Sequence, residues 1–352
     1  MRSKLERCPC SFAFHPRRSP LLGRSIPRGR LAARGLVCAL VLAVALSSEA
    51  SADPSGRTAH QAGDGRSIPI QREWVIAPDP ASLASTPLER RPWRFDQRAP
   101  VLVHTESRQG ASPVYYFRDV RWRQNQRREN NREIRSSYFT TARVDPDRIR
   151  CAWLCLKPFA PRWLAAHAAI LLEMEPGGFT NLDAEEGGGI VISYEALMRA
   201  GQKYSLVEGQ QGKYPVVYVA GTWDDFVFKS VRLDSSVVKR WKLALSPAEL
   251  RNLEMAVGRT ALADHSGEKY NTLNHSCVTA VVDLINQAVP ENRRLRKGWL
   301  GTPIPNPSWM LPTLLDRSLR RKGLIVGEME EFSTYPPAPR VSPALSEDRE
   351  ED

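Results

Sequence analysis

The 352-residue chain is long enough for one large domain or two small ones, and its 42% hydrophobic content supports a buried core. Its formal charge of +11 invites a polyanion partner, but nine basic residues and only two acids lie before residue 53. The rest carries 41 basic and 37 acidic residues, a net of +4, which removes the main support for a nucleic-acid-binding function.

Residues 1–52 read as a signal peptide. Basic sequence from Arg2 to Arg34 leads into the apolar run Leu36 to Leu46, and Ala50-Ser51-Ala52 forms a small-residue cleavage site before Asp53. The run is short for a permanent span, so an uncleaved anchor is the weaker alternative. Cys8, Cys10 and Cys38 would leave with this leader, and Cys151, Cys155 and Cys277 would remain. An odd number of cysteines in an oxidising compartment points to a reactive thiol or to a buried, inert one.

Residues 53–67 are small and polar and read as a flexible leader. The segment 68–150 is the N-terminal part of the domain, irregular and β. Pro-, Arg- and Trp-rich sequence without a period runs to Pro100, and strands are predicted at Val101–His104, Val114–Phe117 and Ser137–Thr141. Arg121 to Arg132 is expected as a solvated loop, with contact to phosphates or anionic lipid headgroups as its functional alternative.

The core is expected over 151–330. His167 to Glu175 reads as a strand, and Gly187-Gly188-Gly189 introduces a second at Ile190 to Glu195, joined as an antiparallel hairpin. Val216–Val219, Phe226–Phe228 and Lys239–Leu245 are further predicted strands. Ser246-Pro247-Ala248-Glu249 has the pattern of a capping box that opens a helix, continued by Leu250, Leu253 and Val257. A second helix is predicted from Cys277, with Val281, Leu284, Ile285 and Ala288 inward and a stop before Pro290. Residues 333–352 read as a disordered tail.

Cys277 opens an apolar helix, where free backbone N–H groups and the helix dipole favour thiolate. A small apolar residue at the start of a buried helix is an equally good reading of position alone. A nucleophile needs a base, and His60, His104, His167, His265 and His275 are available. His167 begins a strand, which can hold an imidazole rigidly. If the hairpin turn centres on Asn181, Glu195 lies opposite His167 and can orient its ring. Zinc binding through His275, Cys277, His265 or the Cys151/Cys155 pair lacks the spacing of common sites, so no metal or cofactor is expected.

These residues carry a resemblance. Tyr270-Asn271-Thr272-Leu273 with Cys277 and Thr279, the strand begun by His167, Ile192-Ser193-Tyr194-Glu195-Ala196, Gly201-Gln202-Lys203-Tyr204-Ser205, and Leu311-Pro312 with Asp316 and Gly323-Leu324-Ile325 are similar to a bacterial periplasmic family. It is catalogued as a domain of unknown function and also called the Lnb N-terminal periplasmic domain, and the likeness runs from about Trp74 to Gly327. The family looks like a permuted relative of the papain-like NlpC/P60 peptidases. The resemblance implies an α+β fold, an antiparallel sheet packed with helices, with Cys277 as nucleophile at a helix N-terminus and His167 as base. It implies an exported envelope acyltransferase or hydrolase acting on lipoprotein or lipid acyl groups through a Cys277 thioester, with peripheral membrane contact. Peptidoglycan amidase or endopeptidase activity, or binding without catalysis, are the alternatives. The chain departs from the family in having His275-Ser276 for Asn-Asn, Val278 for Thr, Leu197-Met198 for arginines and Trp223-Asp224-Asp225 for a Glu-Arg-Asp segment.

Overall fold

The computed structural model describes residues 67–160, 165–296 and 312–335. The expected signal peptide, His60, nearly all of the 53–67 leader and the tail beyond Tyr335 lie outside the described residues.

One mixed sheet dominates. Its strands are β1 (Arg72–Ile76), β2 (Val101–Glu106), β3 (Val114–Glu129), β4 (Arg132–Val144), β5 (Ile149–Phe159), β6 (Ala165–Met174), β7 (Phe179–Asn181), β8 (Gly189–Ala196), β9 (Tyr214–Thr222), β10 (Val238–Leu243), β11 (Lys269–Tyr270) and β12 (Ile325–Phe332). The order across the sheet is β1-β4-β3-β9-β8-β6-β5-β10-β12, with β2 on β3, β7 on β4 and β11 on β9. All pairs are antiparallel except β3 with β9, where Arg121 lies opposite Gly221. A Cβ at Gly221 would sit 3.1 Å from the Arg121 carbonyl oxygen, so any side chain there would have to push the two strands slightly apart.

The helices are α1 (Pro80–Ala84), α2 (Leu206–Gln210), α3 (Trp223–Phe228), α4 (Pro247–Leu262), α5 (Cys277–Ala288) and α6 (Pro312–Arg321). Strand alternation sorts the core into two layers. Ala166, Ala168, Ile170 and Leu172 of β6 pack with Leu253 and Val257 of α4, Val278, Val281 and Ile285 of α5, and Leu315 and Leu319 of α6. Ala169 and Leu171 face the other way, against Cys151, Trp153, Cys155 and Phe226. The fold is α+β, as expected.

The Ser246/Glu249 capping box is present: Ser246 N–H donates to Glu249 Oε2 at 2.8 Å, and Glu249 N–H to Ser246 Oγ at 3.3 Å. Val281, Leu284, Ile285 and Ala288 are buried, and α5 stops at Ala288 ahead of Pro290.

Two expectations are overturned. Arg121 to Arg132 is no loop: Gln124 to Glu129 pair in register with Ser137 to Arg132, extending β3 and β4 into a long hairpin arm. Its turn residues Asn130 and Asn131 both adopt positive φ, 47° and 61°, which matches the right-handed twist of a tight hairpin and which asparagine tolerates well. Phe226–Phe228 is helical, because Thr222 Oγ1 caps α3 by accepting from Asp225 N–H at 3.1 Å and Asp224 and Asp225 suit its N-terminus. The stretch to Pro100, expected to be irregular, also contains the short β1 and α1.

Cys151 and Cys155 are unpaired and buried. Four residues apart on β5, their Cα atoms are separated by roughly 13 Å at strand rise, beyond the reach of a disulfide.

Candidate functional site

The register of the central hairpin decides the site. Ala169 lies opposite Ser193 and Ile170 opposite Ile192, the phase that sets His167 across from Glu195. Pairing between β6 and β8 stops at Ala169 and Ser193, although each strand continues along its other neighbour to Ala165 and Ala196. The two strands therefore diverge at His167 and Glu195, leaving a gap in the sheet and unpaired backbone groups on β6.

Cys277 fills the edge of that gap. Its Sγ accepts from Ala168 N–H at 3.4 Å and lies 3.9 Å from Ala166 O, taking the place of a strand partner on either side of His167. Tyr270 O–H donates to Sγ at 3.6 Å and accepts from Cys277 N–H at 3.4 Å. The preceding loop is locked by its own sequence. Asn271 and His275 exchange backbone hydrogen bonds at 3.0 Å, and Asn271 Oδ1 accepts from Leu273 N–H. Thr272 Oγ1 reaches Leu206 O at 3.1 Å and Tyr204 Oη at 2.9 Å. Thus Tyr270, Asn271 and Thr272 each hold the cysteine's helix in position.

His167 and Cys277 reach the gap from opposite sides. By alternation His167 shares the face of Ala169 and Leu171, whereas Cys277 packs with Ala166 and Ala168. No hydrogen bond joins them, and His167 Nε2 is buried with no partner among the described residues. That atom lies 3.9 Å from Glu195 Oε1, in ion-pair range but beyond a hydrogen bond. All three residues border one cavity of about 530 Å³. Its lining is mixed: aromatic and apolar from Phe159, Met198, Tyr204, Leu206 and Tyr270, and charged from Arg94, Lys157, Lys229, Asp234 and Glu195.

Electrostatics modify the thiolate expectation. Burial pushes the Cys277 thiol up, and Glu195 adds to this, against hydrogen bonds from Ala168, Tyr270 and Val278. Burial also depresses His167 to about 4, outweighing the attraction of Glu195, while Lys157, Lys229 and Arg121 push the same way. The resting pair is a neutral thiol and a neutral imidazole, since desolvation exceeds what the helix start offers. Glu195 behaves oppositely: burial alone would raise it, but Lys229, His167 and Arg121 hold it far below the usual range.

Several site residues had no sequence signal. Gln97 Nε2 donates to Glu195 Oε2 at 2.8 Å and to Ala196 O at 3.0 Å, while its Oε1 accepts from Met198 N–H at 3.0 Å. Ser193 Oγ donates to Glu195 Oε1 at 2.8 Å. Behind them Asp96 binds Lys229 Nζ at 2.6 Å and takes two hydrogen bonds from Arg94, at 3.0 and 2.8 Å. Arg121, wholly buried, pairs with Asp225 at 2.6 Å and donates to Asp96 O at 2.6 Å. The positive charge near Glu195 thus comes from β3 and from the π-helical segment Lys229–Leu233 that continues α3.

The remaining histidines are placed elsewhere. His265 Nδ1 and His275 Nε2 lie 2.9 and 3.0 Å from the two oxygens of Glu268, and the His104 ring lies tilted beside that of Tyr116. Among the described residues, no three His, Cys, Asp or Glu side chains converge with metal-binding geometry, and no helix is long and apolar enough to cross a membrane.

No curated protein and no solved structure matches the chain. A family model does: residues 136–310, just under half of the chain, match the Lnb N-terminal periplasmic domain. The matched stretch holds Cys277, His167 and Glu195 but begins after Gln97 and Arg121. The domain it describes is periplasmic, and the protein is accordingly an exported protein of the periplasm or cell envelope.

Proposed function

We propose that this protein is a thiol-dependent acyltransferase or hydrolase acting on lipoprotein or lipid acyl groups, built on a permuted papain-like plan. The observation that carries the reading is Cys277 Sγ, at a helix start and in a strand gap, bordering a cavity that it shares with His167 and Glu195. The apolar lining residues suit an acyl chain, and the charged ones suit the polar part of an ester.

The His167 ring swings into the gap and takes the thiol proton, while Glu195 across the gap stabilises the imidazolium that forms. The thiolate attacks the ester carbonyl, and Tyr270 O–H turns from Sγ to the developing oxyanion. Collapse expels the alcohol, protonated by His167, and leaves a Cys277 thioester. An amine or water then attacks, with His167 again as base. Starting from neutral partners keeps the resting thiol weakly reactive, and the proton passes to His167 as the sulfur bonds to the ester carbonyl. The charged lining residues favour a second reading, peptidoglycan amide hydrolysis by the same residues.

The test is acylation by a p-nitrophenyl ester of a medium-length acyl chain, mapped by mass spectrometry. A thioester on Cys277, lost in Cys277→Ser and slowed at least about 100-fold in His167→Ala, is expected from the usual contribution of a general base. Acylation of another residue, or an unchanged rate in His167→Ala, removes the mechanism.

A further inference from the structure

A second cavity lies outside the proposed chemistry. It holds about 650 Å³ and is bounded by β8, β9, the last turns of α4, the loop that precedes Cys277 and one side of α5. Two hydroxyl groups that border it are unspent. Tyr194 and Ser276 are each no more than 3% exposed, and neither Tyr194 Oη nor Ser276 Oγ has a hydrogen-bond partner among the described residues. Packing fixes the phenol in place: its ring meets Tyr218 at 5.0 Å, His275 at 5.4 Å and Tyr270 at 5.8 Å. Burial holds Tyr194 far above the ordinary range of a phenol, and Glu268 adds to this, so the hydroxyl keeps its proton. At Ser276 the backbone N–H and carbonyl are both taken by Thr279 Oγ1, at 2.7 and 2.9 Å, which leaves the serine hydroxyl over. A buried hydroxyl without a partner is costly, so such groups mark where a ligand's own donors and acceptors complete the bonding.

The lining also sums to no net charge. His265 Nε2 lies 2.7 Å from Thr260 O, which can only accept, so that nitrogen carries a proton. The contact of Nδ1 with Glu268 Oε1 at 2.9 Å then needs a second proton, and with it the His265–Glu268 pair is neutral as a whole. His275 Nε2 donates to the other Glu268 oxygen at 3.0 Å. The remaining charged side chains are Asp283 and Arg294, one of each sign. Ala280 and Leu284 are the only aliphatic residues of the lining, so an acyl chain finds little to contact there. The side chains of His275 and Glu268 are 48% and 38% exposed, which opens the cavity to solvent on their side.

We propose that this second cavity binds a neutral sugar of one or two rings. Sugar hydroxyls both donate and accept, as the Tyr194 and Ser276 hydroxyls do, and one ring presents several of them side by side. The volume falls in the ordinary range of small-molecule sites and far exceeds the roughly 30 Å³ share of one water. A charged ligand would find no counter-charge left over, because each charge of the lining is already balanced. Tyr270 borders the Cys277 cavity and Tyr194 the second one, and their rings stack at 22°, so one aromatic layer separates the sugar from the nucleophile's cavity. Binding needs no chemistry at Cys277 and is measured in Cys277→Ala protein, so that this inference and the proposed acyl transfer fail separately.

The experiment is saturation-transfer NMR on the full chain with N-acetylglucosamine, its β-linked disaccharide, and two charged sugars, glucosamine and glucuronate, at about pH 6.5, where the amine is protonated. Saturable binding of the neutral sugars with a millimolar or tighter Kd is expected, and several-fold weaker binding of the charged ones. Tyr194→Phe removes one oxygen and keeps the ring. It should weaken the disaccharide about five- to tenfold, the loss of one hydrogen bond, and leave the thermal midpoint of the sugar-free protein unchanged or raised. Ser276→Ala should weaken binding to a similar degree. Phe159→Ala, in the Cys277 cavity, should leave sugar binding unchanged. No saturable binding, equal affinity for the charged sugars, or a loss in Phe159→Ala with none in Tyr194→Phe overturns the proposal. So does a lowered thermal midpoint in sugar-free Tyr194→Phe, which would show that the phenol already has a partner.

Discussion

Gln97→Ala tests whether the segment before the matched domain completes the site. Gln97 is 5% exposed and makes three hydrogen bonds around the β8 end, one of them to the ionised Glu195 carboxylate. A bond to a charged group contributes about 1.5–3 kcal/mol, and each buried neutral group left unpaired costs about 1–3 kcal/mol. Full addition would exceed 5 kcal/mol, but the deleted amide borders the cavity, and water entering from there can satisfy part of the loss. A destabilisation of about 3 kcal/mol is expected, read as a lowered urea midpoint at unchanged slope. Gln97→Glu keeps the shape but sets a carboxylate against Glu195. It should be at least as damaging at pH 7.5 and should recover towards pH 5.5, where the introduced carboxyl, once protonated, can donate again. A loss below about 1 kcal/mol in Gln97→Ala, or no pH recovery in Gln97→Glu, would refute the clamp as the organiser of Glu195.

Arg121→Met leaves Asp225 buried and unpaired, so a loss of about 3–5 kcal/mol in equilibrium unfolding is expected, and a loss below about 1 kcal/mol would contradict the pairing. Because His167 is held near 4 against an ordinary 6.5, the unfolded chain binds a proton between those values that the folded chain does not. Its contribution is complete above about pH 6.5 and falls, by up to about 1.4 kcal/mol per unit, as pH drops towards 4; His167→Gln should flatten that window. Burial raises Cys155 to about 12, so Cys155→Ser should leave alkylation of the folded protein unchanged at pH 8, and a halved signal would show that this thiol is open.

By itself the sequence determined the elements whose instructions are local. The Ser246/Glu249 capping box, the apolar period from Cys277 and the stop at Pro290 set both long helices, because caps and periodicity act within a few residues. The phase of the His167–Glu195 pairing rested on a turn assumed at Asn181; the register has that phase, although Asn181 itself ends β7, paired with β4. The Arg121–Arg132 arm was misread because charge and amide groups mask strand character when both faces of a hairpin meet solvent. Phe226–Phe228 was misread because its apolar run is short enough for either state, and the cap at Thr222 decided between them. Tertiary structure alone decided three things: where β6 and β8 part, that Cys277 and His167 reach the gap from opposite faces, and that Gln97, Arg121 and Lys229 surround Glu195. These depend on contacts between residues about 100 positions apart, such as Gln97 with Glu195 or Arg121 with Asp225, and no local pattern encodes such a meeting. The resting protonation of the pair also follows from burial, which exists only once the chain has folded.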